Sequence, residues 1–287
     1  MKIAISGSSG FIGRKLFDFL SIDNEVIKIN RSDFKKNDDS FSKLIENCNV
    51  IINLVGAPII KRWTKSYIRE LYTSRLDSVD KFTRSIKLLN KKPSHFLNAS
   101  AVGIYTSNDK VHTEIDYTQS NNLLGDLVSK WEESVKILEN EAKVKTTIMR
   151  FGVVLSKTGG ALEKMIFPFK LGLGSIVGNG KQPMPWISIN DLKHAVKYVI
   201  DREIYGVINF VNPSMINNRE FSKALARAVN SFLFLKTPEF VFKLLFGSGS
   251  IVLTEGQKVK PYILLKEGFI FQDQSFADFL EKEMGLK

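Results

Sequence analysis

Met1-Lys2-Ile3-Ala4-Ile5-Ser6-Gly7-Ser8-Ser9-Gly10-Phe11-Ile12-Gly13 opens the chain, and the reading of this stretch decides the fold. Lys2–Ser6 is a short apolar strand. Gly7, Gly10 and Gly13 follow it directly, and Ile12, Leu16, Phe19 and Leu20 then fall on one helical face. Glycines at a strand–helix junction let the backbone turn tightly and approach a pyrophosphate, which rests on the unpaired N–H groups of the helix N-terminus. The spacing is G-x-x-G-x-x-G, not the more usual G-x-G-x-x-G. A glycine turn without a ligand is the plain alternative, and the position at the very first strand–helix junction argues against it.

Outward from that junction the pattern repeats. Strands are expected at Glu25–Ile29, Val50–Val55, His95–Ser100 and Lys145–Val154. Helices are expected at Phe41–Asn47, at Asn121–Glu141, and from about Thr64 to Asn90 with a break or bend near the start. Nearly continuous apolar strands fit a parallel sheet buried on both faces, and the alternation gives a doubly wound α/β Rossmann fold. After Gly159 the texture changes. Pro168, Gly172, Gly174, Gly178, Gly180, Pro183 and Pro185 mark a loop-rich region. A helix at Asp191–Asp201, a strand at Gly206–Val211, a helix at Asn218–Val229 and a mostly helical tail from Pro238 to Leu286 follow. The expected organisation is a dinucleotide-binding core over residues 1–155 and a smaller mixed lobe over residues 156–287 that returns elements to the core.

The 287 residues carry 44% hydrophobic and 25% charged side chains, which excludes disorder and collagen-like repeats. One cysteine, Cys48, excludes an internal disulfide and suits a reducing cytoplasm. No stretch of about 18 apolar residues predicts a membrane span. The net charge of +11 raises nucleic-acid binding, but only ten of the 41 basic residues are arginine, and no basic block occurs. Lysines scattered in this way favour no specific nucleic-acid partner. His95, His112 and His194 are isolated, with no metal-ligand spacing, and Arg14 after Gly13 excludes a Walker loop. Phe167, Met184 and Trp186 line a substrate cleft or simply pack the lobe.

Arg31 ends Ile29-Asn30-Arg31 just past the second strand, and no acid stands at residues 26–32. In a dinucleotide fold an acid here holds the ribose 2′-hydroxyl of NAD, whereas an arginine takes a 2′-phosphate, so NADP(H) is the expected cofactor. A solvated loop arginine is the alternative.

Several segments together resemble the extended short-chain dehydrogenase/reductases, the NAD(P)-dependent epimerase/dehydratase-like group. They are the Gly7–Gly13 loop with Phe11-Ile12 inside it, Asn53-Leu54-Val55-Gly56, Arg62-Trp63, Ser74-Arg75, Ala99-Ser100-Ala101-Val102-Gly103, Lys130-Trp131-Glu132, Trp186-Ile187-Ser188-Ile189-Asn190-Asp191-Leu192 and Glu255-Gly256-Gln257-Lys258-Val259. Within that group the chain is similar to an atypical "epimerase family" branch with a C-terminal domain of unknown function. The resemblance implies that Gly7, Ser9, Gly10, Phe11, Ile12, Gly13, Arg31, Ser32, Leu54, Val55, Gly56, Glu70 and Arg75 contact the cofactor. Strand packing for Leu54 and Val55, and a surface ion pair for Glu70 and Arg75, are the plainer readings.

The same resemblance implies a serine, and a tyrosine and lysine four residues apart on a helix, as the catalytic set. Ser100 matches the serine and Lys130 the lysine, both also expected at the cofactor; a polar strand end and a solvated helix lysine are their alternatives. Asp126 stands where the tyrosine belongs, so the usual acid is missing. Tyr105 is the nearest candidate for a displaced phenol, and a packing aromatic is its commoner role. The expected function is an NADP(H)-binding oxidoreductase or epimerase-like enzyme for a small hydroxylated or carbonyl substrate, as monomer or homodimer. The alternative is a non-catalytic NADP-dependent sensor.

Overall fold

The computed structural model describes residues 1–231 and 235–285. Its first half runs β1 (Lys2–Ser6), α1 (Phe11–Leu20), β2 (Glu25–Ile29), α2 (Asp38–Ile45), β3 (Val50–Asn53), α3 (Lys65–Lys87), β4 (His95–Ala101), β5 (Val111–His112), α4 (Leu123–Ala142) and β6 (Lys145–Phe151). Next come β7 (Val153–Ser156), α5 (Gly160–Lys170), β8 (Ser175–Val177), β9 (Trp186–Ser188), α6 (Ile189–Asp201), β10 (Gly206–Phe210), α7 (Asn218–Ala228) and β11 (Leu235–Thr237). The C-terminal part holds α8 (Glu239–Phe246), α9 (Ile251–Thr254), β12 (Lys258–Val259), α10 (Tyr262–Lys266) and α11 (Phe276–Met284).

Six parallel strands form the central sheet in the order β2-β1-β3-β4-β6-β10. Alternating side chains send each strand into two cores, as the pleat requires. Ile3, Ile5, Val50, Ile52, Leu97, Met149 and Ile208 pack with α1 and α6 on one face. Ala4, Ile51, Phe96 and Ile148 pack on the other face with Phe41 of α2, Phe82 of α3 and Trp131 of α4. The result is the expected doubly wound α/β/α layering. A third cluster, with Leu155, Trp186, Phe221, Phe276 and Phe279 at its centre, fills the smaller C-terminal region.

Three local differences from the sequence reading have physical causes. The expected strand Lys145–Val154 divides at Gly152, where an added Cβ would sit 2.6 Å from the Pro185 carbonyl oxygen. The backbone therefore leaves β10 for β9 at that point, and Val153 N–H donates to Pro185 O at 2.8 Å. α3 is one continuous helix because Thr64 caps it cleanly, its Oγ1 accepting from Tyr67 N–H at 3.2 Å. The irregular backbone lies before the helix. The helical tail is interrupted by β12, which pairs with β5, and its expected last residue, Leu286, lies outside the described residues.

Candidate functional site

The strand order changes direction between β1 and β3, and the crevice at the carboxyl ends of the strands there is where open α/β sheets bind ligands. Gly7 occupies it with a φ of +73°, a conformation favouring glycine, and an added Cβ would lie 2.7 Å from the Leu54 carbonyl oxygen. Gly10 N–H donates to Gly7 O at 3.0 Å, closing the turn. At Gly13 an added Cβ would clash with the Gly7 carbonyl oxygen, so helix and turn can touch only through glycine. The loop then delivers an uncapped helix. Gly10 is the N-cap, offers no side-chain acceptor, and no acid stands in the first turn of α1. Exposed Ser9 and Gly10, and half-buried Phe11 and Ile12, surround those open N–H groups. These residues fit a pyrophosphate, whose charge the helix terminus favours.

Arg31 and Ser32 follow β2 and are exposed. Among the described residues Arg31 has no hydrogen-bond or ion-pair partner. The first acid after it, Asp33, accepts from Asn30 N–H at 2.8 Å and pairs with Lys36 at 2.7 Å. A cation beside β2 is thus free to take an anion.

Leu54 and Val55 are half-buried and Gly56 is exposed at the end of β3. Arg75 lies beneath them, not beside an acid. It is 8% exposed, donates to Leu71 O at 2.9 Å and Ala57 O at 3.1 Å, and lies 5.0 Å from the Trp131 ring. Burial pushes its guanidinium down to about 10. An added Cβ on Gly56 would approach that guanidinium at 3.2 Å. Arg75 therefore braces the Leu54–Ala57 backbone from below, while Glu70 is exposed on α3 and forms no ion pair with it.

Ser100 and Tyr105 belong to one buried network. Ser100 Oγ donates to Glu132 Oε1 at 2.6 Å. Arg150 grips the same carboxylate through Nε and Nη2, both at 2.7 Å, and donates to Tyr105 Oη at 2.8 Å. Tyr105 Oη donates to Asn209 Oδ1 at 2.6 Å, and Asn209 Nδ2 reaches the Lys260 carbonyl at 3.0 Å. The side chains of Arg150 and Glu132 are 2% and 7% exposed. Burial pushes the Tyr105 phenol up to about 12, since its anion would be desolvated. For Arg150, burial acts to lower the guanidinium, but the Glu132 carboxylate outweighs it and the net direction is upward. Tyr105 is fully buried and touches His112 at 5.2 Å between ring centroids, so it supports the site from inside.

Lys130 and Asp126 form an i, i+4 pair at 2.9 Å on α4, both about half exposed. Tyr72 of α3 donates its hydroxyl to the same Asp126 oxygen at 2.5 Å. The Tyr72 hydrogen bond, and then Lys130, hold Asp126 below the usual carboxylate range. At neutral pH the residue in the tyrosine's place is an acceptor with no proton to give.

Glu132, Arg150, Asn209 and Tyr72 escaped the sequence reading as functional residues. Arg150 carried a usable signal, a charge between Met149 and Phe151 in a strand of the central sheet, which demands a buried partner. Tyr72 carried none. Trp186, a cleft candidate, is fully buried against Phe276 and Phe279, with Nε1 donating to Ser214 O at 2.9 Å. Met184 is half-buried against the same cluster, and Phe167 is 67% exposed. Among the described residues no group of three His, Cys, Asp or Glu side chains could hold a metal. Among the same residues, no helix is long and apolar enough to cross a membrane.

A glycine cradle at the sheet's switch point with a serine at the C-terminal end of β4 is the layout of a dinucleotide-binding fold, and the chain belongs to the NAD dependent epimerase/dehydratase family, whose model matches residues 3–210. A domain of unknown function, DUF1731, matches residues 237–283. The chain is 33% identical over 279 residues to the epimerase family protein SDR39U1 of Mus musculus, covering 94% of both chains. It is also 33% identical over 291 residues to an epimerase family protein of Staphylococcus aureus strain N315, covering 96% of this chain and 97% of that one. The crystal structure of human epimerase family protein SDR39U1 (isoform2) with NADPH superposes with a TM-score of 0.90 at 27% identity, covering all of both chains.

Proposed function

We propose that this chain binds NADP(H) along the crevice between β1 and β3 and performs oxidoreductase or epimerase-like chemistry on a small hydroxylated or carbonyl compound. The observation that carries the reading is the uncapped α1 N-terminus over a turn that only Gly7 and Gly13 permit, with unpartnered Arg31 beside it. The human relative's structure with NADPH supports the same cofactor.

In this reading Gly7–Gly13 take the pyrophosphate, and Arg31 with Ser32 takes the 2′-phosphate. Leu54–Gly56 carry the dinucleotide along the sheet edge on the shelf braced by Arg75. Lys130 holds the nicotinamide ribose. When bound, the cofactor supplies hydride exchange at the substrate carbon. Ser100 meets the substrate oxygen, but its own proton is already given to Glu132, so it offers lone pairs. Such a serine suits a hydroxyl donor better than a bare carbonyl. Tyr105 positions Arg150 and Asn209 and does not reach substrate. A second reading, a cofactor-dependent sensor without turnover, is favoured by Asp126, which sits ionised where a proton donor is required.

The cofactor assignment is tested by calorimetric titration with NADPH and NADH. NADPH is expected to bind tighter by about ten- to a hundredfold, the worth of a charge-assisted contact of roughly 1.5–3 kcal/mol. Arg31→Asp reverses the order. Equal affinities in the natural protein would refute it. A screen of sugars, polyols and carbonyl compounds by NADPH absorbance, repeated with Ser100→Ala and Lys130→Ala, separates the enzyme from the sensor.

A further inference from the structure

A second concave site opens where α1, the turn after β7, the start of α6 and α11 meet. Its volume is about 390 Å³, within the range of small-molecule sites. None of the cofactor-cradle residues lines it. Four lysines do, Lys15, Lys157, Lys193 and Lys282, together with the hydroxyls of Ser156, Thr158 and Ser188.

The two acids in the lining are already engaged. Asp273 is 5% exposed and pairs with Lys282 at 3.1 Å, and Glu283 accepts the Lys157 backbone N–H at 2.9 Å. Asp191, in the first turn of α6, is fully buried on the N–H groups of Gln272 and Asp273, at 2.8 and 3.2 Å. Among the described residues, no carboxylate lies within ion-pair distance of the side chains of Lys15, Lys157 or Lys193. Lys15 and Lys193 are half-buried, and Lys193 sits 5.0 Å from the Phe19 ring centroid. Burial first, and the like charge of Lys15 second, hold Lys193 below the usual lysine range. Ser188, in the same lining, is 1% exposed. Its Oγ accepts the Asp191 N–H at 3.0 Å, and among the described residues its own proton has no acceptor.

Ammonium groups without a carboxylate partner, lining one cavity with a buried spare donor, form a receptor for a multiply charged anion with acceptor oxygens. We propose that this cavity binds the phosphate end of a phosphorylated small molecule. Lys15 and Lys193 neutralise the charge, Lys157 closes over the rim, and the Ser188 hydroxyl donates to a phosphate oxygen. The site is independent of the dinucleotide cradle.

Inorganic pyrophosphate is the probe, titrated by calorimetry into protein saturated with NADPH, at about 50 mM salt, where screening is weak. Pyrophosphate is expected to bind while the cradle is full. Lys15→Gln/Lys193→Gln weakens it by about tenfold or more, while the NADPH affinity moves less than about twofold. Arg31→Ala does the reverse. Circular dichroism melting checks that the double variant folds; if it does not, Lys15→Gln, Lys193→Gln and Ser188→Ala singly must each weaken pyrophosphate. If NADPH does not bind, the titration is run without it, and loss of pyrophosphate affinity on Lys15→Gln, Lys193→Gln and Ser188→Ala still assigns the binding to this cavity, so failure of the cofactor reading leaves this test intact. No pyrophosphate binding, or binding that ignores the lysine and serine variants, overturns the proposal.

Discussion

Removing one partner of the Glu132–Arg150 pair, by Glu132→Leu or Arg150→Met, is expected to be far worse than removing both. The two side chains are 7% and 2% exposed and joined by two hydrogen bonds of 2.7 Å. Either single change leaves a charge in the interior without its counter-ion, a loss of about 3–5 kcal/mol. Glu132→Leu also strands the Ser100 hydroxyl, and Arg150→Met strands one acceptor site on Tyr105 Oη. In the double variant no charge remains, and the apolar replacements recover part of the loss through packing, so the total falls below the sum by roughly 1–3 kcal/mol. For a chain of this size each single variant should melt lower by about 10 °C, at roughly 2–4 °C per kcal/mol. Urea unfolding followed by circular dichroism gives the free energies, and circular dichroism avoids the Trp131 fluorescence that changes beside the mutation. Strict additivity, or single losses below about 1 kcal/mol, would refute the view that the pair is a buried charge unit anchoring Ser100.

Two further outcomes concern titration. Tyr72→Phe deletes the first cause of the depressed Asp126 pKa and should move the Asp126 midpoint up, read by carboxyl carbon NMR; an unmoved midpoint means Lys130 alone sets it. His95 is 2% exposed and held neutral, its pKa pushed down to about 4 by burial. Thr147 Oγ1 donates to Ile204 O, so His95 Nε2–H donates to Thr147 at 2.7 Å and leaves Nδ1 as an unpaired acceptor. Because the folded value lies below the unfolded one, the unfolded chain takes up the proton first. Stability is full above about pH 6.5 and falls as pH drops toward 4, by up to about 1.4 kcal/mol per pH unit. His95→Asn should flatten that slope in urea unfolding at pH 7 and pH 5, and an unchanged slope would assign it to other groups.

The first 155 residues already determined the fold class. Continuous apolar strands alternating with amphipathic helices have few ways to bury both faces, and Gly7, Gly10 and Gly13 are short-range requirements of one turn, legible because they depend only on neighbours in sequence. The same holds for Arg31, fixed by its distance past β2, whereas the expectation of a tyrosine at the place of Asp126 came only from the family resemblance. What the sequence could not reveal depends on chain segments far apart. Ser100, Glu132, Arg150, Tyr105 and Asn209 span more than a hundred positions, and only sheet order brings β4, β6 and β10 side by side so that their polar side chains share protons. Tyr72 meets Asp126 because α3 packs on α4, a contact no local pattern encodes. Arg75 looked like a surface helix residue, and tertiary packing made it the buried brace of the Leu54–Ala57 shelf. Local turns and periodicity are set by neighbouring bonds. Which hydroxyl gives its proton to which carboxylate is set by burial, where an unmade hydrogen bond is too costly to leave, and burial exists only once the chain has folded.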